Sequence, residues 1–202
     1  MARNRPDRSR EDKTAEIVAI ARRLFLERGY DATTIAAIAR EAGIATNVVH
    51  WYFATKDDLF VAALESLQSE DLEEARERLS RSAPGQEEKV LKALLTEFVW
   101  RRLDRYGLVA TLHERSHRSP VIAEFHDRAH RRYADYLGRA VERCPIPASE
   151  RKLVVEALIT AVEGLVMHRA SKREAKRMMG FLAKRLIAAE RNQPRTQKET
   201  ER

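Results

Sequence analysis

The segment His113-Glu114-Arg115-Ser116-His117 sets two imidazoles four residues apart, with a carboxylate beside the first. On a helix this spacing brings both rings to one face, where they can hold zinc while the glutamate activates a water, as in zinc peptidases. His126 and His130 repeat the interval, so a four-histidine cluster is conceivable. The rest of the chemistry is missing. Nothing singles out Glu124 or Glu142 as a third ligand, no G-x-x-H follows, and Ser119-Pro120 closes the helix soon after. No strand is apparent to align an extended substrate. No catalytic residue, metal ligand or cofactor is therefore assigned, and a metal-dependent hydrolase stands only as a rival reading. The plain alternative is a polar helix end whose histidines, when protonated, favour the nearby carbonyls.

The elements that carry these residues are helical. Seven glycines and six prolines punctuate long Ala/Leu/Glu/Arg-rich runs in 202 residues, and strand-type alternation is nearly absent. The fold class is all-α, with about nine helices. No stretch of eighteen residues is apolar and uncharged, and MARNRPDRSR lacks the apolar core of a secretory signal, so a cytoplasmic protein without a membrane partner is expected. The single cysteine, Cys144, cannot form an intrachain disulfide and reads as a packing residue. A net charge of +7 would attract phosphate polyanions, with Arg3, Arg5, Arg8 and Arg10 crowding the first ten residues. Charge alone fits a solvated basic face equally well.

The spacing predicts a first helix over 11–28, carried by Ala15, Val18, Leu24 and Phe25 and stopped at Gly29. Thr33-Thr34 offers capping hydroxyls for a second helix, Ile35 to Ala42, which stops at Gly43. A third spans Thr46 to Tyr52. Thr55-Lys-Asp-Asp58 has the form of a capping box that opens a fourth helix, to about Ser82, with Leu59, Leu64, Leu67 and Leu72 on one stripe and a charged, connecting second half. Ala83-Pro84-Gly85 is the clearest break. Further helices are expected to about Gly107, over 108–117, over 120–143 with Ser119 as its cap and Pro120 at its first position, over 148–169 and over 172–190. The eighth is apolar around most of its circumference, so it must be covered on more than one side. The ninth carries Met178, Met179, Phe181, Leu182, Leu186 and Ile187 on a broad stripe.

Two short helices joined by a glycine-containing turn have the geometry of a helix-turn-helix, whose second helix enters the major groove of DNA. Ala39 lets the helices approach, Gly43 permits the turn, and Val49 packs back; Ile35, Ile38, Ile44 and Phe53 complete a small core. Phe25-Leu-Glu-Arg-Gly-Tyr30, Thr33-Thr34, Ile38-Ala39, Ala42-Gly43-Ile44, Tyr52-Phe53, Lys56 and Leu59 together resemble the N-terminal domain of the TetR family of bacterial transcriptional repressors. The resemblance covers residues 14–64. Beyond it the chain resembles the family in helix number and order.

Thr46, Asn47 and His50 face away from the small core and can read base edges. The resemblance places Thr34, Trp51, Tyr52 and Lys56 at phosphate-clamping positions, where donors fix register without reading sequence. Where the family usually carries Ser or Thr, Gly and Tyr, this chain has Ala45, Asn47 and His50, and the missing hydroxyl at Ala45 costs about 1 kcal/mol of capping.

The resemblance further implies a homodimer through the last two helices, a palindromic double-stranded operator and release by a small-molecule inducer. It also implies a sixth helix that links the inducer pocket to the DNA-binding domain. Candidates for that pocket are Trp100, Tyr106, His113, His117, His126, Tyr133, Glu163 and Met167. The expected organisation is a disordered basic arm at 1–12, a DNA-binding domain at 13–62, a ligand-binding and dimerisation domain at 63–192 and a disordered tail at 193–202. A ligand-independent DNA-binding protein is the second rival.

Overall fold

A computed structural model describes residues 5–83 and 85–188 and is all-helical over them. In order the helices are α1 (Arg5–Ala32), α2 (Ile35–Glu41), α3 (Thr46–Tyr52), α4 (Lys56–Ser80), α5 (Glu87–Asp104), α6 (Tyr106–Ser116), α7 (Pro120–Glu142), α8 (Arg151–Met167) and α9 (Lys172–Ala188). None of them is long and apolar enough to cross a membrane. The expected tail at 193–202 and the arm's first four residues lie outside the described residues.

Helix α1 begins at Arg5, earlier than the sequence predicts, so residues 5–12 of the expected arm are helical. Pro6 falls in the first turn, where its missing N–H costs nothing. Further along, Thr14 donates to the Arg10 carbonyl (2.9 Å) and Lys13 pairs with Glu16 (2.8 Å). The regular helix breaks at Gly29 (φ 79°, ψ 175°), as expected. Its buried face is set by Ile17, Ala21, Leu24 and Phe25, whereas Ala15, expected on that face, is exposed.

The caps explain the next boundaries. The Thr34 hydroxyl accepts from the Ala37 N–H (3.1 Å) and opens α2, while the buried Thr33 hydroxyl donates to the Gly29 carbonyl (2.8 Å). Thr55 and Asp58 form a reciprocal box at the head of α4: the Thr55 N–H donates to Asp58 Oδ2 (2.8 Å) and the Asp58 N–H to Thr55 Oγ1 (3.1 Å). Ser171 and Glu174 repeat it before α9 (2.9 and 3.2 Å).

The chain divides into two compact units. The first holds α1–α3, α4 to Ala75, α6, and α7 to Tyr133; the second holds the remainder of α4 and α7 with α5, α8 and α9. In the first, Phe25, Tyr30 and Phe60 form an aromatic knot with ring centroids 4.9–5.9 Å apart. Around it lie Ile17, Ile38, Val49 and Leu59 from the N-terminal helices, with Leu108, Ile122 and Phe125 from α6 and α7. Each fully buried side chain of this size contributes about 1.5–3 kcal/mol. Gln68, buried among them, donates to the Ala129 carbonyl (3.1 Å) and accepts from Arg132 (3.0 Å), so its burial leaves no amide unsatisfied.

In the second unit α5 packs against α8 and α9. Leu91, Leu95 and Val99 of α5, Leu158, Val162 and Val166 of α8, and Ala175, Met179 and Ala183 of α9 are buried. Cys144 is buried too, and burial pushes its thiol up to about 11, which suits the packing role expected of it. The broad stripe expected on α9 divides: Met179 is inside, but Met178 (47%) and Phe181 (56%) are exposed, as are Leu153 (67%) and Met167 (41%) of α8.

Candidate nucleic-acid interface

Between α2 and α3 the chain turns at Gly43 (φ 64°), in the left-handed region that other residues enter only at a cost. The Ile44 N–H donates back to the Ala39 carbonyl (3.0 Å), and Ala39 and Val49 are buried at the crossing. Ile38 is fully buried, with Ile35, Ile44, Tyr52 and Phe53 packed against the same cluster. This is the small core that the spacing predicts, and it decides which side of α3 faces outward.

That side carries Thr46, Asn47, Val48, His50 and Trp51, all exposed. His50 Nδ1 lies 3.4 Å from the Ala54 carbonyl, leaving the far edge of the ring outward. Val48 went unnoticed in the sequence because valine reads as core. Beside Asn47 its methyls can contact a thymine methyl. Ala45 caps α3 in extended backbone (φ −74°, ψ 150°) and supplies no side-chain hydrogen bond, as its methyl requires. Trp51, 63% exposed, is no core aromatic. Its ring meets Tyr52 edge-on (4.8 Å) and carries the Arg10 guanidinium on its face (4.5 Å to the centroid). Arg10 therefore has a fixed neighbour in the helix-turn-helix, which the expectation of a free arm missed.

Thr34 is exposed at the start of α2, and Tyr52 and Lys56 are half-buried. Lys56 lies over one side of the Tyr30 ring (4.0 Å), and the Arg115 guanidinium also lies against that ring (4.4 Å). Tyr30 donates its hydroxyl to Asp57, which also accepts from Arg115 at 2.8 and 3.0 Å. Burial disfavours the Asp57 charge, but the Arg115, Tyr30 and Ser119 hydrogen bonds outweigh it and hold the carboxyl below its ordinary value. Burial and the Asp57 carboxylate push the Tyr30 phenol upward, so it stays a donor. Desolvation lowers Lys56 despite Asp31. Arg115 of α6, the end of α1 and the head of α4 thus form one electrostatic joint beside Lys56, one of the residues expected to meet phosphate.

Arg115 is the central residue of the His113–His117 segment, and the flanking groups do not assemble a peptidase site. Glu114 is on the surface with Arg118 (3.6 Å). His117 is exposed at the end of α6. His113 meets His126 edge-on (4.9 Å), and His126 lies 4.4 Å from His130. Among the described residues no group of three or more His, Cys, Asp or Glu side chains is placed to hold a metal ion. No sequence signal pointed to Arg115, because its partner lies 58 residues upstream.

The inducer candidates are spread over the molecule. Tyr106, His113, His117, His126 and Tyr133 belong to the first unit, Trp100, Glu163 and Met167 to the second. Of these His113 and His126 are in contact, Tyr133 is buried, and Met167 is exposed. Trp100 borders a groove between α5 and α9 that contains none of the other seven.

Comparison with known proteins agrees with this geometry. Residues 17–63 match the family described as bacterial regulatory proteins, tetR family. The HTH-type transcriptional regulator HbdR of Aromatoleum sp. (strain CIB) is 40% identical over 57 residues, which cover 28% of this chain and 25% of HbdR. The match thus spans about a quarter of that curated relative's length. Two solved structures share the fold over most of the chain. A TetR transcription regulator from Haloarcula marismortui ATCC 43049 has a TM-score of 0.73 at 20% identity, over 88% of this chain and 99% of its own. The transcriptional regulator FadR from Bacillus subtilis, in complex with stearoyl-CoA, has 0.66 at 14%, over 86% and 97%. The helix-turn-helix of α2 and α3 lies inside the matched segment, so residues 17–63 are similar to the DNA-binding part of the tetR family of bacterial regulatory proteins, and the likeness to solved structures extends the shared fold over most of the chain.

Proposed function

We propose that the protein is a ligand-responsive, DNA-binding transcriptional regulator that acts as a repressor on a palindromic operator. The observation that carries this reading is the outward face of α3. Thr46, Asn47, Val48 and His50 are presented to read base edges, and Thr34, Trp51, Tyr52 and Lys56 flank them to hold phosphates. A homodimer through α8 and α9 would cover Leu153, Met167, Met178 and Phe181 and set two copies of α3 on successive turns of the duplex. The absence of a membrane-spanning helix among the described residues fits a cytoplasmic site of action.

Ligand response is supported by the bound molecule in the Bacillus subtilis neighbour and by the joint at Arg115. A small molecule moves the DNA equilibrium only through its differential affinity for two arrangements. Arg115 ties α6 to Asp57 and Tyr30 next to Lys56, so a shift of α6 would displace a clamp residue. Tyr106, His113, His117, His126, Tyr133, Trp100, Glu163 and Met167 remain the candidate inducer contacts. The first test is selection of bound duplexes from a random pool, followed by titration against salt. A palindromic consensus with steep salt dependence is expected. Equal binding of selected and random DNA, or no effect of Lys56→Ala and His50→Ala, would overturn the assignment.

A further inference from the structure

The groove between α5 and α9 shares only Trp100 with the inducer candidates above. It is an open groove with a volume of about 650 Å³, within the range of small-molecule sites, and lies wholly in the second unit. Its lining includes Lys89, Lys92 and Lys176, with Ala93, Thr96 and Trp100. Two carboxylates also border it, and both are already neutralised. Glu97 accepts from Arg101 (2.7 Å) and pairs with Arg78, while Asp104 pairs with Lys172 (2.7 Å). The three lysines have no ion pair among the described residues, so the groove keeps a surplus of positive charge.

The rest of the lining is fixed. The Trp100 indole N–H donates to the Lys172 carbonyl (3.1 Å), which holds the ring at the head of α9, and the Thr96 hydroxyl donates to the Lys92 carbonyl (2.7 Å). With that hydroxyl engaged, the apolar parts of Thr96, Ala93 and Trp100 remain for contact. Lys92 runs across Gly180, where a β-carbon would come within 3.0 Å of its Cε. The missing side chain at 180 gives the lysine its path over α9.

The geometry points to a binding site for a small amphiphilic organic anion, its acid group held by Lys92 and Lys176 and its apolar body laid along Ala93, Thr96 and Trp100. Charge-assisted hydrogen bonds from the ammonium groups supply orientation, and the indole face supplies apolar area. The groove belongs to the second unit and the proposed DNA-reading residues to the first, so the site is assayed without DNA.

Trp51 and Trp100 are the chain's two tryptophans, so Trp51→Phe makes Trp100 the sole indole reporter in an otherwise full-length protein. Its emission is titrated with decanoate and, in parallel, with decanol. Saturable change with decanoate, little with decanol at the same concentration, and a dissociation constant raised by about tenfold or more in Lys92→Glu/Lys176→Glu are expected. Circular dichroism checks the fold of each variant; if the double variant is not helical, Lys176→Glu alone, at an exposed position, decides. Absence of a saturable response, an equal response to decanol, or a response indifferent to the charge reversals would overturn the site.

Discussion

Trp51 and Phe181 are both exposed aromatics with an arginine against the ring, yet their settings differ. Trp51 carries Arg10 at 4.5 Å on a helix whose outward residues are hydrogen-bonding Thr46, Asn47 and His50. Phe181 has Arg185 at 5.4 Å and shares α9 with exposed Met178, in a unit that also exposes Leu153 and Met167. The first surface mixes hydrogen-bonding groups with exposed Val48 and Trp51, above a core that buries Ile38 and Val49. The second leaves apolar area in water that a monomer has no reason to retain. The face proposed to bind phosphates and the face proposed to pair with a second copy call for different experiments.

The largest expected effect comes from breaking the apolar side. Met178→Glu/Phe181→Glu should convert the protein to a monomer by sedimentation. Operator affinity should fall about a hundredfold or more, because two half-sites no longer bind as one. The first unit's helix-turn-helix should remain folded. If the variant stays dimeric, the contrast between the two surfaces is wrong.

Breaking the polar side should cost less and in two distinguishable ways. Lys56→Ala should weaken binding to all duplexes alike and reduce the salt slope by about 1. His50→Ala should cost about 1–3 kcal/mol on the selected operator and relax preference at one position. Should both variants lose affinity uniformly, His50 does not read sequence.

How much of this could be read from the chain depends on the range of the contacts. Thr34, Gly43, the bounds of α3 and the Thr55–Asp58 box were legible because caps and turns are local. Residues 5–12 were expected as an arm from their charge, which gave no hint that Arg10 would rest on Trp51. In the His113–His117 segment the pattern drew attention to the imidazoles, whereas Arg115 reaches Asp57 through folding alone. The α9 stripe was legible as apolar, but sequence could not tell that Met179 is buried while Met178 and Phe181 are exposed.

A smaller effect is expected at the Arg115 joint. Arg115→Ala strands the largely buried Asp57 carboxylate without its guanidinium and should destabilise the protein by about 1–3 kcal/mol. Because the folded state holds Asp57 below its ordinary value of 3.8, its contribution is complete above that value and is lost as pH falls through the lowered one. Thermal melts from pH 7 down to pH 2 should therefore show a shallower acid limb in Arg115→Ala than in the parent. Identical limbs would mean that the joint carries no stability.

The smallest effect tests the polar surface at its edge, where two neighbouring helices start differently. The Thr34 hydroxyl caps α2, whereas Ala45 begins α3 with no side-chain bond although its backbone already has the extended conformation of a cap. Thr34→Ala should cost, and Ala45→Ser should gain, about 0.5–1 kcal/mol in melting experiments. Only Thr34→Ala should also weaken DNA binding, since Thr34 is a proposed phosphate contact and position 45 is not. A gain of operator affinity in Ala45→Ser larger than its gain in stability would instead place position 45 on the DNA and widen the reading face by one residue.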